Sequence, residues 1–139
     1  VLVTKMIADG NFKILESSDK DEISLPMAVI TNKNTVSAAE LFVCDLKDYF
    51  KAIQVGETTY GKSVMQTHHP LSDGRAIKIT TAYYNSVKSS NYDGVGVIPD
   101  YEVFLSNSQL TAYRNNTLPL SEDSQYQTAV EKLNAEIIG

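Results

Sequence analysis

The sequence predicts an α/β domain, and three stretches carry that expectation. Met27-Ala28-Val29-Ile30 is a short unbroken apolar run. From Ser37 onward the apolar residues fall at 38, 42, 46, 49 and 53, the spacing of one helix face. Ala76 to Tyr84 is the longest β pattern, with Ile77, Ile79, Thr81 and Tyr83 on one side. At 139 residues, with 42% apolar and 21% charged, residues 1–139 fit one domain with a single core.

Taken in order, the β-branched segment Val1 to Ile7, the turn pair Asp9-Gly10 and the apolar stretch Phe12 to Leu15 predict a β-hairpin. Glu16 to Glu22 is polar and reads as a loop. Pro26 introduces Met27 to Ile30, a run of the kind found in strands covered on both faces, so a central strand is expected there. Asn32-Lys33-Asn34 is turn chemistry, and a helix then runs from Ser37 to Phe50, with Glu40, Lys47, Asp48 and Lys51 mostly off its apolar stripe. Ile53 to Val55 is a second short strand, Gly56 to Gly61 a loop, and Val64 to Thr67 a third strand. Pro70 and Asp73-Gly74 turn the chain into the strand Ala76 to Tyr84, and Asn85 to Asp93 is polar. Val95 to Ile98 is expected as a short strand closed by Pro99-Asp100, Tyr101 to Leu105 as extended chain, and the remainder through Leu120 as loop. Ser121 is placed to cap a last helix whose apolar residues Tyr126, Ala129, Val130, Leu133 and Ile137 recur at helical spacing. Glu122 and Asp123 suit its positive end.

Composition narrows the function. The net charge is -5, and Lys and Arg are scattered, so no phosphate-binding surface forms and nucleic acid is not an expected partner. No apolar run approaches the roughly 18 residues of a membrane span, and the start lacks the order of a signal peptide. The chain opens on Val1 inside a strand pattern, which suggests a piece of a longer protein. A single cysteine, Cys44, leaves no intrachain disulfide and no cysteine-rich metal site. His68 and His69 are adjacent on a strand and point to opposite faces, which makes them poor metal ligands and surface residues. No metal or other cofactor is expected.

Gly56-Glu57-Thr58-Thr59-Tyr60-Gly61-Lys62-Ser63 fits the phosphate-loop pattern GxxxxGK[ST]. Such a loop needs a helix beginning at its lysine, because the helix amino terminus holds the phosphates. Val64, Thr67 and Pro70 are strand and turn chemistry instead, so nucleotide is not an expected ligand.

Ser37-x-x-Glu40 is a capping box, and its plain meaning is a helix cap. A serine there also sits past the carboxyl end of a strand at the positive mouth of a helix, where α/β folds present reactive groups. As a nucleophile it needs a base. The histidines lack an orienting acid at suitable spacing, which leaves Lys62. A free lysine, with a pKa of about 10.4, is roughly 0.1% neutral near pH 7.4, so burial must lower that value by about 3 units. Lys62 stands between Tyr60-Gly61 and Val64-Met65, a lightly charged setting. Gln66, four residues on, could orient the amine only if the backbone bends near Ser63.

These motifs resemble the carboxyl-terminal processing (tail-specific) serine proteases. The likeness runs through Pro26 to Asn32, Ser37-Ala38-Ala39-Glu40, Val55 to Gln66, Leu71-Ser72-Asp73-Gly74, Ile79 to Tyr83 and Gly96-Val97-Ile98-Pro99-Asp100. The resemblance implies a crotonase- or ClpP-like β-β-α core, with Ser37 as nucleophile, Lys62 as base and Gln66 as the residue that orients it. The Ala38 N-H would serve the oxyanion. Asp48 matches an acidic position of some members and, with Glu40, is assigned a structural or orienting role.

Val36 and Ala39 replace serines common in the family, and Ser63 replaces a glycine; neither change removes a catalytic atom. The family's Gly-Gly segment, which gives a second oxyanion N-H, and its peptide-binding PDZ module would lie upstream of Val1. The implied activity is endopeptidase cleavage of protein substrates near their carboxyl termini, weak or absent in this chain by itself. The contrasting expectation is a non-catalytic ligand- or peptide-binding domain on the same fold. An extracytoplasmic location is implied by the family alone, and a truncated sheet with an exposed edge invites self-association.

Overall fold

A computed structural model describes residues 3–8, 10–19, 21 and 23–138. In chain order the elements are β1 (Val3–Ala8), β2 (Asn11–Ser17), β3 (Ala28–Thr31), α1 (Ala38–Phe50), β4 (Ile53–Gly56), β5 (Val64–Pro70), β6 (Ala76–Ser86), β7 (Tyr101–Glu102), α2 (Asn107–Arg114) and α3 (Ser124–Ile138). One sheet is antiparallel throughout, in the order β2-β1-β6-β5. The other is parallel, in the order β3-β4-β7. Parallel neighbours need a crossover, and α1 is the one that joins β3 to β4.

The core sits on β4. Every residue of that strand is buried, and Ile53 and Val55 pack with Ala129 of α3, flanked by Ala28 and Val103. Each fully buried Val or Ile contributes about 1.5–3 kcal/mol relative to exposure, so this small cluster anchors the parallel sheet.

The α/β class is as expected, and several elements differ from the sequence-based account. β3 is an edge strand, half-buried with Ile30 42% exposed; the central strand is β4. The buried residues of α1 are Glu40, Val43, Cys44 and Asp45, while Ala38 and Phe42 of the apolar stripe are exposed. The face of β6 that carries Ile77, Ile79, Thr81 and Tyr83 is likewise exposed, and its other face buries Ala82 and Tyr84.

Val95 to Ile98 is not a strand, because its backbone groups are taken by a turn, in which Val95 and Gly96 N-H donate to Tyr92 O at 3.1 and 2.9 Å, and by side chains. Val97 N-H donates to Thr59 Oγ1 at 2.7 Å, Val97 O accepts from Gln54 Nε2 at 3.1 Å, and Ile98 O accepts from Lys47 Nζ at 3.1 Å. The segment expected as loop through Leu120 contains α2, capped by Ser106 and Gln109. Ser121 does not cap α3: Asp123 Oδ1 accepts the N-H groups of Gln125 at 2.9 Å and Tyr126 at 3.0 Å. Of the segments assigned above, Val1, Leu2, Asp9, Lys20, Glu22 and Gly139 lie outside the described residues.

Candidate active site

Ser37 opens α1 with φ 62° and ψ -121°, a backbone shape that costs a non-glycine residue roughly 1–3 kcal/mol. Such strain persists only where the surroundings hold it. Here Glu40, one turn into the helix and fully buried, accepts the Ser37 N-H on Oε2 at 2.8 Å. The same Oε2 accepts the Lys62 N-H at 2.9 Å. Oε1 takes the Thr59 hydroxyl at 2.5 Å and the Gly61 N-H at 2.6 Å. A carboxylate offers about four lone-pair sites, and all are occupied. One side chain therefore fixes both the start of the helix and the return loop.

That loop closes on a second one. Gly94 N-H donates to Gly61 O at 2.9 Å, and Ser63 N-H donates to Asp93 Oδ1 at 2.9 Å. Gly61 has φ 89°, and a Cβ there would stand 2.8 Å from Gly96 N, so glycine is required. Asn91 accepts the Ser63 hydroxyl at 2.9 Å, which also occupies the position where the resemblance leads one to look for glycine.

The Lys62 side chain is half-buried, and its amine has no hydrogen bond or ion pair with any described residue. The Ser37 hydroxyl lies 2.8 Å from the Tyr84 hydroxyl, whose oxygen is also 3.4 Å from Lys62 O. Ser37 and Lys62 thus share two neighbours, Glu40 and Tyr84. Ala38 is the first residue of α1, so its N-H has no intrahelical acceptor and suits an oxyanion.

Gln66 lies apart from this cluster. The β5–β6 register breaks between Met65 and Gln66, and the exposed Gln66 side chain donates to Thr80 Oγ1 at 3.4 Å. Asp48 holds the polar stretch after β6, accepting from Ser89 N-H at 2.9 Å and Ser89 Oγ at 2.7 Å. His68 and His69 are exposed on β5. Burial, with the Asp48 charge adding to it, pushes the Cys44 thiol up to about 12, which removes it as a rival nucleophile. Among the described residues no group of three or more His, Cys, Asp or Glu is placed to hold a metal ion. Tyr84, Thr59 and Gly61 were not singled out from the sequence. The period of β6 held the signal for Tyr84, since parity puts it on the face opposite Tyr83.

The family model described as Peptidase family S41 matches residues 3–103. The chain belongs to peptidase family S41. Among S41 relatives, carboxyl-terminal-processing peptidase 2, chloroplastic, of Arabidopsis thaliana is 41% identical over 86 residues, 62% of this chain and 17% of that protein. The carboxyl-terminal-processing protease of Synechocystis is 34% identical over 112 residues, 81% of this chain and 25% of that protein. The solved structure of a photosystem II D1 C-terminal processing protease superposes with a TM-score of 0.68 at 30% identity, over 74% of this chain and 27% of that one. The chain is thus a serine-peptidase homologue of the C-terminal-processing kind, and it spans about a quarter or less of the length of these relatives.

Proposed function

We propose that Ser37 and Lys62 form a nucleophile and base pair in an endopeptidase that cuts protein or peptide substrates near their carboxyl termini. The observation that carries this reading is the single Glu40 oxygen bonded to both Ser37 N-H and Lys62 N-H, at 2.8 Å and 2.9 Å. Lys62 is half-buried and its amine has no acidic partner among the described residues, and Ser37 sits on a strained turn into a helix; these features suit base and nucleophile respectively.

In this scheme the Lys62 amine takes the Ser37 proton, Oγ bonds to the substrate carbonyl carbon, and the carbonyl pair moves onto oxygen. The Ala38 N-H faces that oxyanion. The Lys62 ammonium then protonates the leaving amine, and water resolves the acyl-enzyme by the reverse route. Gln66 joins as the residue that orients Lys62 once its side chain leaves Thr80. Glu40 and Asp48 act through the backbone they hold. The family resemblance puts a second oxyanion donor outside residues 1–139, and losing such a donor typically costs about 100-fold to 1000-fold, so these residues by themselves are proposed to be a weak or inactive peptidase. An extracytoplasmic setting follows from the family resemblance.

The test is Ser37→Ala and Lys62→Ala in the full-length protein, with cleavage of an unstructured reporter peptide as readout. Each is expected to lower turnover by at least about 10,000-fold. Proteolysis at the parental rate in Lys62→Ala would eliminate the pair and leave a non-catalytic binding domain as the better account.

A further inference from the structure

Tyr84 touches the Ser37 hydroxyl, and the scheme above leaves that contact without a task. β6 brings it there: Tyr84 shares the buried face of the strand with Ala82, and its N-H donates to Ser63 O at 2.9 Å. The residue is 9% exposed, so the phenol is held by packing. Its oxygen is 2.8 Å from Ser37 Oγ and 3.4 Å from Lys62 O.

A carbonyl only accepts, so between these two contacts the phenol proton has two destinations. Directed at Lys62 O over 3.4 Å, it leaves the phenol oxygen to accept the serine proton. Directed at Ser37 Oγ over 2.8 Å, it leaves the serine proton to turn to another base. The second arrangement uses the shorter contact, and it is the one Ser37 needs when its proton passes to Lys62.

We propose that Tyr84 is a further catalytic residue, donating a hydrogen bond to Ser37 Oγ that aims the serine proton at Lys62 and stabilises that oxygen as the proton leaves. The proposal rests on the Ser37 and Lys62 reading. During attack the Ser37 proton passes to the Lys62 amine and the Oγ pair forms the new bond, while Tyr84 keeps its own proton. When the acyl group is released, Oγ departs with the bonding pair, is met by the same donor, and regains its proton from Lys62. Hydrogen bonds to charged oxygen are stronger than neutral ones, and this charge exists only near the transition state. The loss of the donor therefore falls on kcat and leaves KM alone.

The test uses the full-length protein and an unstructured reporter peptide. Tyr84→Phe removes one oxygen and keeps the ring, and kcat is expected to fall about 10-fold to 100-fold at unchanged KM and thermal midpoint. Parental kcat, or a loss confined to KM, overturns the proposal. Should Tyr84→Phe fold poorly, 3,5-difluorotyrosine at position 84 keeps the hydroxyl and nearly the same shape. Its more acidic phenol is expected to move the alkaline limb of the kcat profile to lower pH, the neighbouring Lys62 and Tyr92, and the Glu40 and Cys44 that face Tyr92, being the same in both proteins. An unmoved limb overturns the proposal. Ser37→Ala and Lys62→Ala run in parallel: activity retained there sinks the pair itself, whereas activity lost there with parental Tyr84→Phe sinks only the role of Tyr84.

Discussion

Glu40 and Asp73 are both carboxylates that pin a loop, and they do so at opposite extremes of burial. Glu40 is fully buried and accepts from Ser37, Thr59, Gly61 and Lys62, three of them 19 to 22 residues away. Asp73, at the tip of the β5–β6 hairpin, accepts among the described residues from Arg75, two residues on, with side-chain exposures of 47% for Asp73 and 79% for Arg75. Identical chemistry serves different ends. A buried acceptor leaves its donors no water to fall back on, so its removal costs the desolvation of each. An exposed pair exchanges one partner for solvent and is screened by salt. Long sequence separation adds to the contrast, because the Glu40 bonds, with the Tyr60 N-H to Thr35 O bond at 2.9 Å beside them, join segments far apart along the chain.

The sharpest way to break that comparison is Glu40→Gln. Whichever oxygen becomes an NH2 group faces at least one backbone N-H that it cannot accept: Ser37 and Lys62 on one side, Gly61 on the other. Stability is expected to fall by about 2–5 kcal/mol, read from the denaturant midpoint. Turnover in the full-length protein should drop about 100-fold, since a displacement of roughly 1 Å at the reacting groups has that effect. A variant with parental stability would mean that water or a shifted loop replaces the carboxylate, and the contrast with Asp73 would vanish.

Gly96→Ala sharpens the comparison by disturbing the hub through its neighbour. Gly96 has φ 83°, and a Cβ there would lie 2.3 Å from Thr59 O and 2.9 Å from Thr58 Cγ2. Backbone must yield, because Thr59 is fixed by its bonds to Glu40 and Val97. The expected cost is about 1–3 kcal/mol in the same denaturant measurement, smaller than for Glu40→Gln. A larger loss than Glu40→Gln would shift the hub's weight from the carboxylate to the Thr59 contact.

The two regions were not equally legible in the sequence. Ser37 and Lys62 stood out because their motifs are ordered and closely spaced. What ties their backbones to one carboxylate did not, since periodicity treats a glutamate as a solvent-facing residue, and three of its partners here, the Thr59 hydroxyl and the Gly61 and Lys62 N-H groups, lie far along the chain. The same blind spot turned the buried face of α1 toward Phe42, which is 54% exposed, and away from Glu40. α2 was missed because it buries no residue and so shows no apolar stripe; its Ser106 and Gln109 capping box was the available signal. β3 read as central because its four apolar residues resemble a doubly covered strand, whereas position in the sheet depends on which strands come to lie beside it. The hairpin turn at Asp73-Gly74, by contrast, was plain, because every interaction that shapes it is local.

Asp73→Asn is the smallest effect and the clearest control. The Arg75 guanidinium holds the Asp73 carboxyl below the usual carboxylate range. A depressed acid contributes what it has above the unfolded pKa of about 3.9 and loses it as pH falls through the folded value. Solvent screens both partners, so at pH 7 the thermal midpoint of Asp73→Asn should match that of the parent. The change should be confined to faster amide exchange at Gly74 and Leu71, whose N-H groups donate to Leu71 O and Arg75 O across the turn. Below the folded pKa the parent carboxyl is protonated, and the two proteins should exchange alike. A thermal midpoint lowered as far as that of Glu40→Gln would show that burial is not what separates the two carboxylates, and that the hairpin tip is coupled to the Glu40 hub through β5 and β6.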